Sequence, residues 1–272
     1  IDSRLQQYAE EAMREHMAHL QVLFDKQWDG DKLWSRIPEE QVLINYDGNY
    51  RAGMNAEPAR TMEVFTWEGQ KQREFNTLDS IKHYLGFLQA GFLAMDVRTA
   101  EIRAWVGGIN HEYFKYDHVL ARRQPGSVFK PLVYLEALEQ GISPCEYFAN
   151  DSIVYHDYEN WTPRNADRSY GGHYSMKGAL VHSINTVSVE VLMQVGIDSV
   201  IELCQKAGID SPLPRVPSLA LGTGAVSLYE MVGAYQAIAN QGILKKPVYL
   251  KKIEDRNGML LFEADPDPEG SA

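Results

Sequence analysis

The stretch Arg123–Pro131 reads RQPGSVFKP and sets a serine, Ser127, three residues before a lysine, Lys130, directly after a Pro-Gly turn. Positions i and i+3 of a helix share a face, so the hydroxyl and the amine come within hydrogen-bond reach if Ser127 opens a helix. Pro131 suits the first turn of such a helix, where it removes at most one ladder bond and leaves the Ser127 carbonyl free. The helix N-terminus adds free N–H groups and a partial positive charge, which together stabilise an oxyanion. A serine hydroxyl needs a base to act as a nucleophile at neutral pH, and a lysine serves where burial and nearby charge lower its pKa.

On the S-x-x-K spacing alone, a helix cap and a solvated lysine are the commoner arrangement. A second polar set changes the reading: Ser183-Ile184-Asn185 interrupts the otherwise apolar helical run ALVHSINTVSVEVL. A serine two before an asparagine, at a break between helices, can turn both side chains into one cleft. There Ser183 relays a proton and Asn185 holds an amide of a substrate. Alone, SxN is a common capping pair. The two sets together favour a site.

The rest of the chain bounds what that site serves. It has 272 residues with 44% hydrophobic content, enough for one large or two modest globular domains. A formal charge of -11, with no basic stripe, makes nucleic acid an unfavourable partner. Two cysteines, Cys145 and Cys204, exclude a disulfide framework and leave the redox compartment open. No apolar run reaches the ~18 to 20 residues of a membrane span, and the polar start IDSRLQQYAEE is not a signal peptide. Any export signal or membrane anchor is expected to lie outside this chain.

Along the chain, Leu5, Tyr8, Met13, Met17, Leu20, Phe24 and Trp28 recur at helical spacing, so a docked amphipathic helix is predicted there with Asp2 or Ser3 as cap. Its His16 and His19 form an HxxH pair that lacks a third ligand and reads as a solvated face. Residues 29–80 read as a mostly irregular connector with one strand at Glu63–Trp67. GFLAMD and EIRAWVGG, separated by VRTA, read as a buried hairpin. Helices are predicted near 127–140, 175–195, 198–207 and 227–241, each ended by a glycine. A last hairpin is expected around Asn257-Gly258, followed by the acidic tail DPDPEGSA. Strands followed by a helical block give an α+β class. LGTGAV lacks the final glycine of a dinucleotide fingerprint and reads as a tight turn, and Tyr155, Tyr158 and Trp161 suit the lining of a substrate cleft but at least as well a minor loop core, so they are not counted as site residues.

With these residues in place, the sequence resembles the penicillin-binding transpeptidases, and more narrowly the bifunctional, class A penicillin-binding proteins. The resemblance rests on RQPGSVFKPLVYLEALEQG, AWVGG, the PRN of WTPRNAD, HSINT and LALGTGAVSLYEMVGAYQAIANQG. It implies the β-lactamase-like α+β fold of that superfamily, a helical block packed on an antiparallel sheet. Residues 1–80 are then an N-terminal helix and interdomain linker, and 81–272 the N-terminal part of the transpeptidase domain. Carried over by residue, Ser127 is the acylated nucleophile, Lys130 its base, Ser183 the proton relay and Asn185 a contact to the acyl-donor peptide.

The implied reaction is serine D-Ala-D-Ala transpeptidation of peptidoglycan stem peptides, with β-lactams as look-alike donors, no metal or organic cofactor, and a place on the outer face of a bacterial cytoplasmic membrane. The parent protein is expected also to be a peptidoglycan glycosyltransferase.

One departure stands out: no Lys-Thr-Gly or Lys-Ser-Gly triplet follows Gly242, and neither Lys245-Lys246-Pro247 nor Gly222-Thr223-Gly224 replaces it. The later sheet strands are then missing, so the chain is expected to be a fragment, weakly active or inactive alone, with an unpaired edge at residues 87–107. The competing readings are a non-catalytic scaffold of the same fold, and a serine β-lactamase using Glu146 and Asn150 to activate water, against which Ile184 stands where an Asp is usual.

Overall fold

The computed structural model describes residues 1–28, Trp34, Ile37 and 58–264; the acidic tail lies outside the described residues, as does most of 29–57. The chain divides into two compact units, Ile1–Phe92 with Ala104–His118, and Leu93–Arg103 with Val119–Ala272.

In the first unit, helix α1 (Ser3–Trp28) is capped by Asp2, whose carboxylate accepts from the N–H groups of Arg4 and Leu5. Its expected apolar stripe is only half used. Met17 is buried in a cluster with Phe65 and Ile109, joined by Met13, Leu20, Phe87 and Phe114, whereas Leu5 and Tyr8 stay exposed. Two glutamines do the rest of the docking. The Gln6 amide pairs with both backbone groups of Trp105 (2.8 and 2.9 Å), and Gln21 donates to Gly86 O and accepts from Leu88 N. His16 and His19 belong to no group of three potential metal ligands among the described residues.

The expected strand at Glu63–Trp67 appears as β1 (Arg60–Thr66), and the described part of the connector, residues 58–80, holds more regular structure than its composition suggests. β1 pairs antiparallel with β2 (Gly69–Phe75), which alternates too few apolar residues to announce itself, and α2 (Thr77–Leu85) follows with Asn76 as its cap. Burying Val64 and Phe65, neighbours in β1 whose side chains point to opposite faces, supplies the driving force that β2 lacks in its own sequence.

β3 (Phe92–Met95) pairs with β4 (Ile102–Val106), as the two apolar runs predict, around a turn pinned by the Asp96 carboxylate. Hydrogen bonds from Thr99 and Arg103 hold that carboxyl down at about 2. The edge expected to be bare is partly covered, because Val248 exchanges backbone hydrogen bonds with Ala100 and Ile102 at 2.9 Å. The short strand β5 (Arg122–Arg123) pairs with β8 (Val226–Ser227). That pairing ties the start of RQPGSVFKP to the end of LGTGAVS.

Between them lies a helical core. α3 (Lys130–Glu139), α4 (Met176–Val181), α5 (Asn185–Val195) and α6 (Ile197–Lys206) precede a 3-10 turn at Pro217–Leu221 and α7 (Leu228–Ala239). α5 is buried along nearly its whole circumference, with Val187, Val189, Val191 and Leu192 fully enclosed, which marks it as the central helix of the cluster. Strands β6 (Tyr147–Ala149) and β7 (His173–Ser175) pair beside it. The expected last hairpin is present as β9 (Lys252–Glu254) and β10 (Leu260–Glu263), and Gly258 takes the positive φ its turn requires.

Candidate active site

Ser127 does not open the α-helix. It sits in a 3-10 turn, Gly126–Phe129, and Lys130 is the first residue of α3, with Pro131 at its second position. The Lys130 N–H bonds back to the Ser127 carbonyl, so that carbonyl is not free as the proline placement suggests: the tighter turn satisfies it locally. The hydroxyl of Ser127 is exposed while the Lys130 side chain is fully buried.

The single helix expected over 175–195 is two helices. α4 ends at Val181, and the chain reverses through Ser183, whose φ of 54° lies in the left-handed region where a non-glycine residue is strained. That strain turns the Ser183 carbonyl and hydroxyl toward the same amine. Lys130 Nζ lies 2.7 Å from Ser183 O, 3.0 Å from Ser183 Oγ and 2.7 Å from Asn185 Oδ1, and Ser183 Oγ donates to Ser127 Oγ at 3.0 Å. All four residues singled out in the sequence therefore meet in one place. Ser127 and Lys130 are linked through Ser183 rather than directly.

Burial pushes the Lys130 amine down to about 8. Its three partners are neutral oxygens, so nothing in the set holds the charged form in place by charge. About one amine in ten is then neutral at pH 7. A neutral amine has two N–H bonds and one lone pair. The Ser183 carbonyl and the Asn185 amide oxygen accept only, so they take the two N–H bonds, which leaves the lone pair facing the Ser183 hydroxyl. With its hydroxyl turned from Ser127 to that lone pair, Ser183 can pass its proton to Lys130 as it accepts one from Ser127, a two-step path open to this arrangement.

Asn185 is also tied into the protein around it. Its amide oxygen accepts from Lys130 and its amide nitrogen donates to Arg164 O at 2.8 Å, so its side chain is engaged within the protein. The sequence reading also missed the groups that build this site from behind. Asn165 is buried, and its side-chain oxygen accepts from the N–H groups of Asn185 (2.9 Å) and Thr186 (3.3 Å), capping α5 from twenty residues away because Ile184 has no side chain to do so. Its amide nitrogen donates to Asn150 Oδ1 and Ser169 O. The PRN of WTPRNAD was visible as a motif, but nothing local in it signals a cap in trans.

Gly222, read as part of a tight turn, packs on the turn that carries Ser127: Gly126 N donates to Gly222 O at 3.3 Å. On the other side, the Tyr235 hydroxyl of α7 donates to Val128 O at 2.8 Å. The Glu146–Asn150 pair does not assemble as a water-activating unit. Asn150 spends its side chain on Asn165, Thr186, Ser169 and Gly171, and Glu146 is exposed. The rings of Tyr155 and Trp161 lie 6.1 Å apart, tilted by 37°, and pack on the edge of the core. Both cysteines are free, Cys145 exposed and Cys204 buried, and no helix among the described residues is long and apolar enough to cross a membrane.

Residues 90–271 match the model of the penicillin-binding protein transpeptidase domain, and residues 53–88 that of the penicillin-binding protein middle domain. The chain is 41% identical over 166 residues to penicillin-binding protein 1A of Aquifex aeolicus, which covers 60% of this chain and 23% of that protein. It is 37% identical over 164 residues to penicillin-binding protein 1A of Pseudomonas aeruginosa, covering 58% and 20%. Among solved structures, penicillin-binding protein 1A from Haemophilus influenzae superimposes with a TM-score of 0.61 at 30% identity, over 65% of this chain and 27% of that one. The PonA1 protein from Mycobacterium tuberculosis, in complex with penicillin V, gives a TM-score of 0.58 over 82% and 62%, and at 21% identity that likeness speaks to the fold. The chain thus spans about a quarter or less of the length of these curated relatives.

Proposed function

We propose that this chain, which belongs to the penicillin-binding protein transpeptidase family, carries the serine acyl-transfer centre of a peptidoglycan D,D-transpeptidase. Ser127 Oγ attacks the carbonyl carbon between two terminal D-alanines of a stem peptide. Its proton passes through Ser183 Oγ to Lys130 Nζ, and the negative charge that develops on the carbonyl oxygen meets the Ser127 N–H at the head of the 3-10 turn. The C–N bond breaks, the departing D-alanine takes the proton back from Lys130, and the acyl group stays as an ester on Ser127. An amine from a second stem then attacks the ester and regenerates the hydroxyl. A β-lactam enters at the first step, and its ester persists.

The observation that carries this reading is the unbroken link Ser127–Ser183–Lys130, with a buried amine whose hydrogen-bond partners among the described residues are neutral oxygens. The relatives' name, penicillin-binding protein 1A, supports β-lactams as ligands, and the resemblance set out in the sequence adds stem peptides as substrates, a bifunctional parent protein and a place on the extracytoplasmic face of a bacterial membrane. Incubating the full-length protein with a peptide ending in D-Ala-D-Ala is expected to release free D-alanine, and Ser127→Ala to release none. Undiminished release by Ser127→Ala would overturn the assignment.

A further inference from the structure

Arg164 and Asn165 hold Asn185 at two points: the Arg164 carbonyl accepts from the Asn185 side chain at 2.8 Å, and the Asn165 side chain accepts from the Asn185 backbone N–H at 2.9 Å. Asn185 in turn is one of the oxygens that fix the amine of Lys130. Asn165 is itself saturated, with two N–H groups on its oxygen and two acceptors, Asn150 Oδ1 (2.7 Å) and Ser169 O (2.8 Å), on its nitrogen. Asn150 completes the cluster by accepting from Thr186 Oγ1 at 2.7 Å. Asn150, Asn165 and Thr186 are each at least 96% buried. A fully satisfied buried amide network has one low-energy arrangement, because any rotation orphans a polar group.

We infer that Asn165 is a positioning residue for acyl transfer: its amide fixes the start of α5 so that Asn185 aims the lone pair of Lys130 at Ser183. The proposal rests on the acyl-transfer reading above and adds to it a residue that touches neither substrate nor nucleophile. Asn165 acts only through Asn185. Removing it frees the first turn of α5, lets Asn185 Oδ1 leave the amine, and admits water to a side chain that is now dry.

The test measures acylation of the full-length protein by a fluorescent penicillin across pH, separating the limiting acylation rate from the penicillin dissociation constant. Asn165→Ala is expected to lower the limiting rate by about tenfold to a hundredfold, the usual penalty for a reacting group misplaced by an ångström, with little change in dissociation constant. Its acid limb should also move to higher pH, because a wetter Lys130 regains basicity. Asn165→Asp keeps the shape and the accepting oxygen but sets a second oxygen against the acceptors Asn150 Oδ1 and Ser169 O, so it is a second way of breaking the network. The unfolding temperature of each variant, measured beside the rates, shows that the protein tested is folded.

Tyr134→Phe is the comparison for a purely structural loss, since it deletes a buried hydrogen bond between α3 and α5, Tyr134 Oη to Ser188 Oγ at 3.0 Å, and should leave the limb in place. The inference is overturned if the Asn165 variants keep the wild-type limb and limiting rate, or if Tyr134→Phe moves the limb equally. A wild-type protein that forms no adduct lost in Ser127→Ala would instead bring down the acyl-transfer reading, and this inference with it.

Discussion

The backbone of Gly222 lies against that of Gly126, the residue before the nucleophile: a Cβ on residue 222 would run into the Gly126 carbonyl oxygen and stand 2.6 Å from its nitrogen and 2.7 Å from its carbonyl carbon. All three obstacles are main chain, so the turn that carries Ser127 must give way. Residue 222 also has φ of 71°, which adds about 1 kcal/mol of strain for alanine. Gly222→Ala is therefore expected to slow penicillin acylation at least tenfold. Gly224→Ala, two residues on, meets only the side-chain atoms Leu213 Cδ2 and Pro214 Cδ and should acylate within about threefold of wild type. Equal losses in the two variants would show that the turn is not the reason.

Ser183 separates stability from chemistry. Its φ of 54° costs an L-residue on the order of 1–2 kcal/mol and costs glycine nothing. Ser183→Gly should unfold at the same or a higher temperature than wild type yet lose the relay hydroxyl, lowering acylation by about 10² to 10⁴. Ser183→Ala loses the hydroxyl and keeps the strain. A Ser183→Gly protein that acylates at the wild-type rate would remove Ser183 from the proton path.

The buried amine makes a signed prediction for pH. Lys130 is depressed to about 8 in the folded chain against 10.5 for an ordinary lysine, so the unfolded state binds more protons between those values. Stability contributed at this site is lowest below about 8 and rises as pH climbs toward 10.5, by roughly 3 kcal/mol in the limit. Unfolding free energy of wild type relative to Lys130→Met should thus move in favour of wild type across that window, and urea titrations at several pH values measure it. A flat difference would mean that the amine is solvated. The acylation rate should rise with pH over the same lower limb, near 8.

Glu230 provides the acid-side counterpart. Its carboxylate accepts from Ser211 N, Ser211 Oγ, Ser227 N and Ser227 Oγ, closing a capping box on α7 and fastening residue 211 to it. Burial opposes the charge, but the four hydrogen bonds outweigh it and leave the carboxyl below its ordinary value. That stabilisation is present above the ordinary glutamate pKa and lost as pH falls through the depressed one. Glu230→Gln should cost about 1–3 kcal/mol at neutral pH and less in acid, as read by urea unfolding.

What the sequence disclosed and what it hid divide along one physical line. Ser127 with Lys130, and Ser183 with Asn185, were legible because each pair is close in sequence and sits where a turn dictates its direction. The last hairpin was legible for the same reason, through Asn257-Gly258. Asn165 capping α5 was not, because the partners are twenty residues apart and no local pattern marks a cap supplied in trans. The contact of Gly222 with Gly126 spans nearly a hundred residues, so a turn glycine and a close-approach glycine look alike in the sequence. β2 escaped notice because its stability comes from its partner strand. The 3-10 form of the Ser127 turn escaped notice because Pro131 fits either helix.

The central claim is that the Ser127 hydroxyl is the group activated by Lys130 through Ser183. Its most direct test is peptide mapping by mass spectrometry of the full-length protein after penicillin treatment. A single penicilloyl group on the peptide containing Ser127, absent from Ser127→Ala and strongly reduced in Lys130→Met, is the expected result. A penicilloyl group on any other peptide, or one that survives Ser127→Ala, would contradict the account.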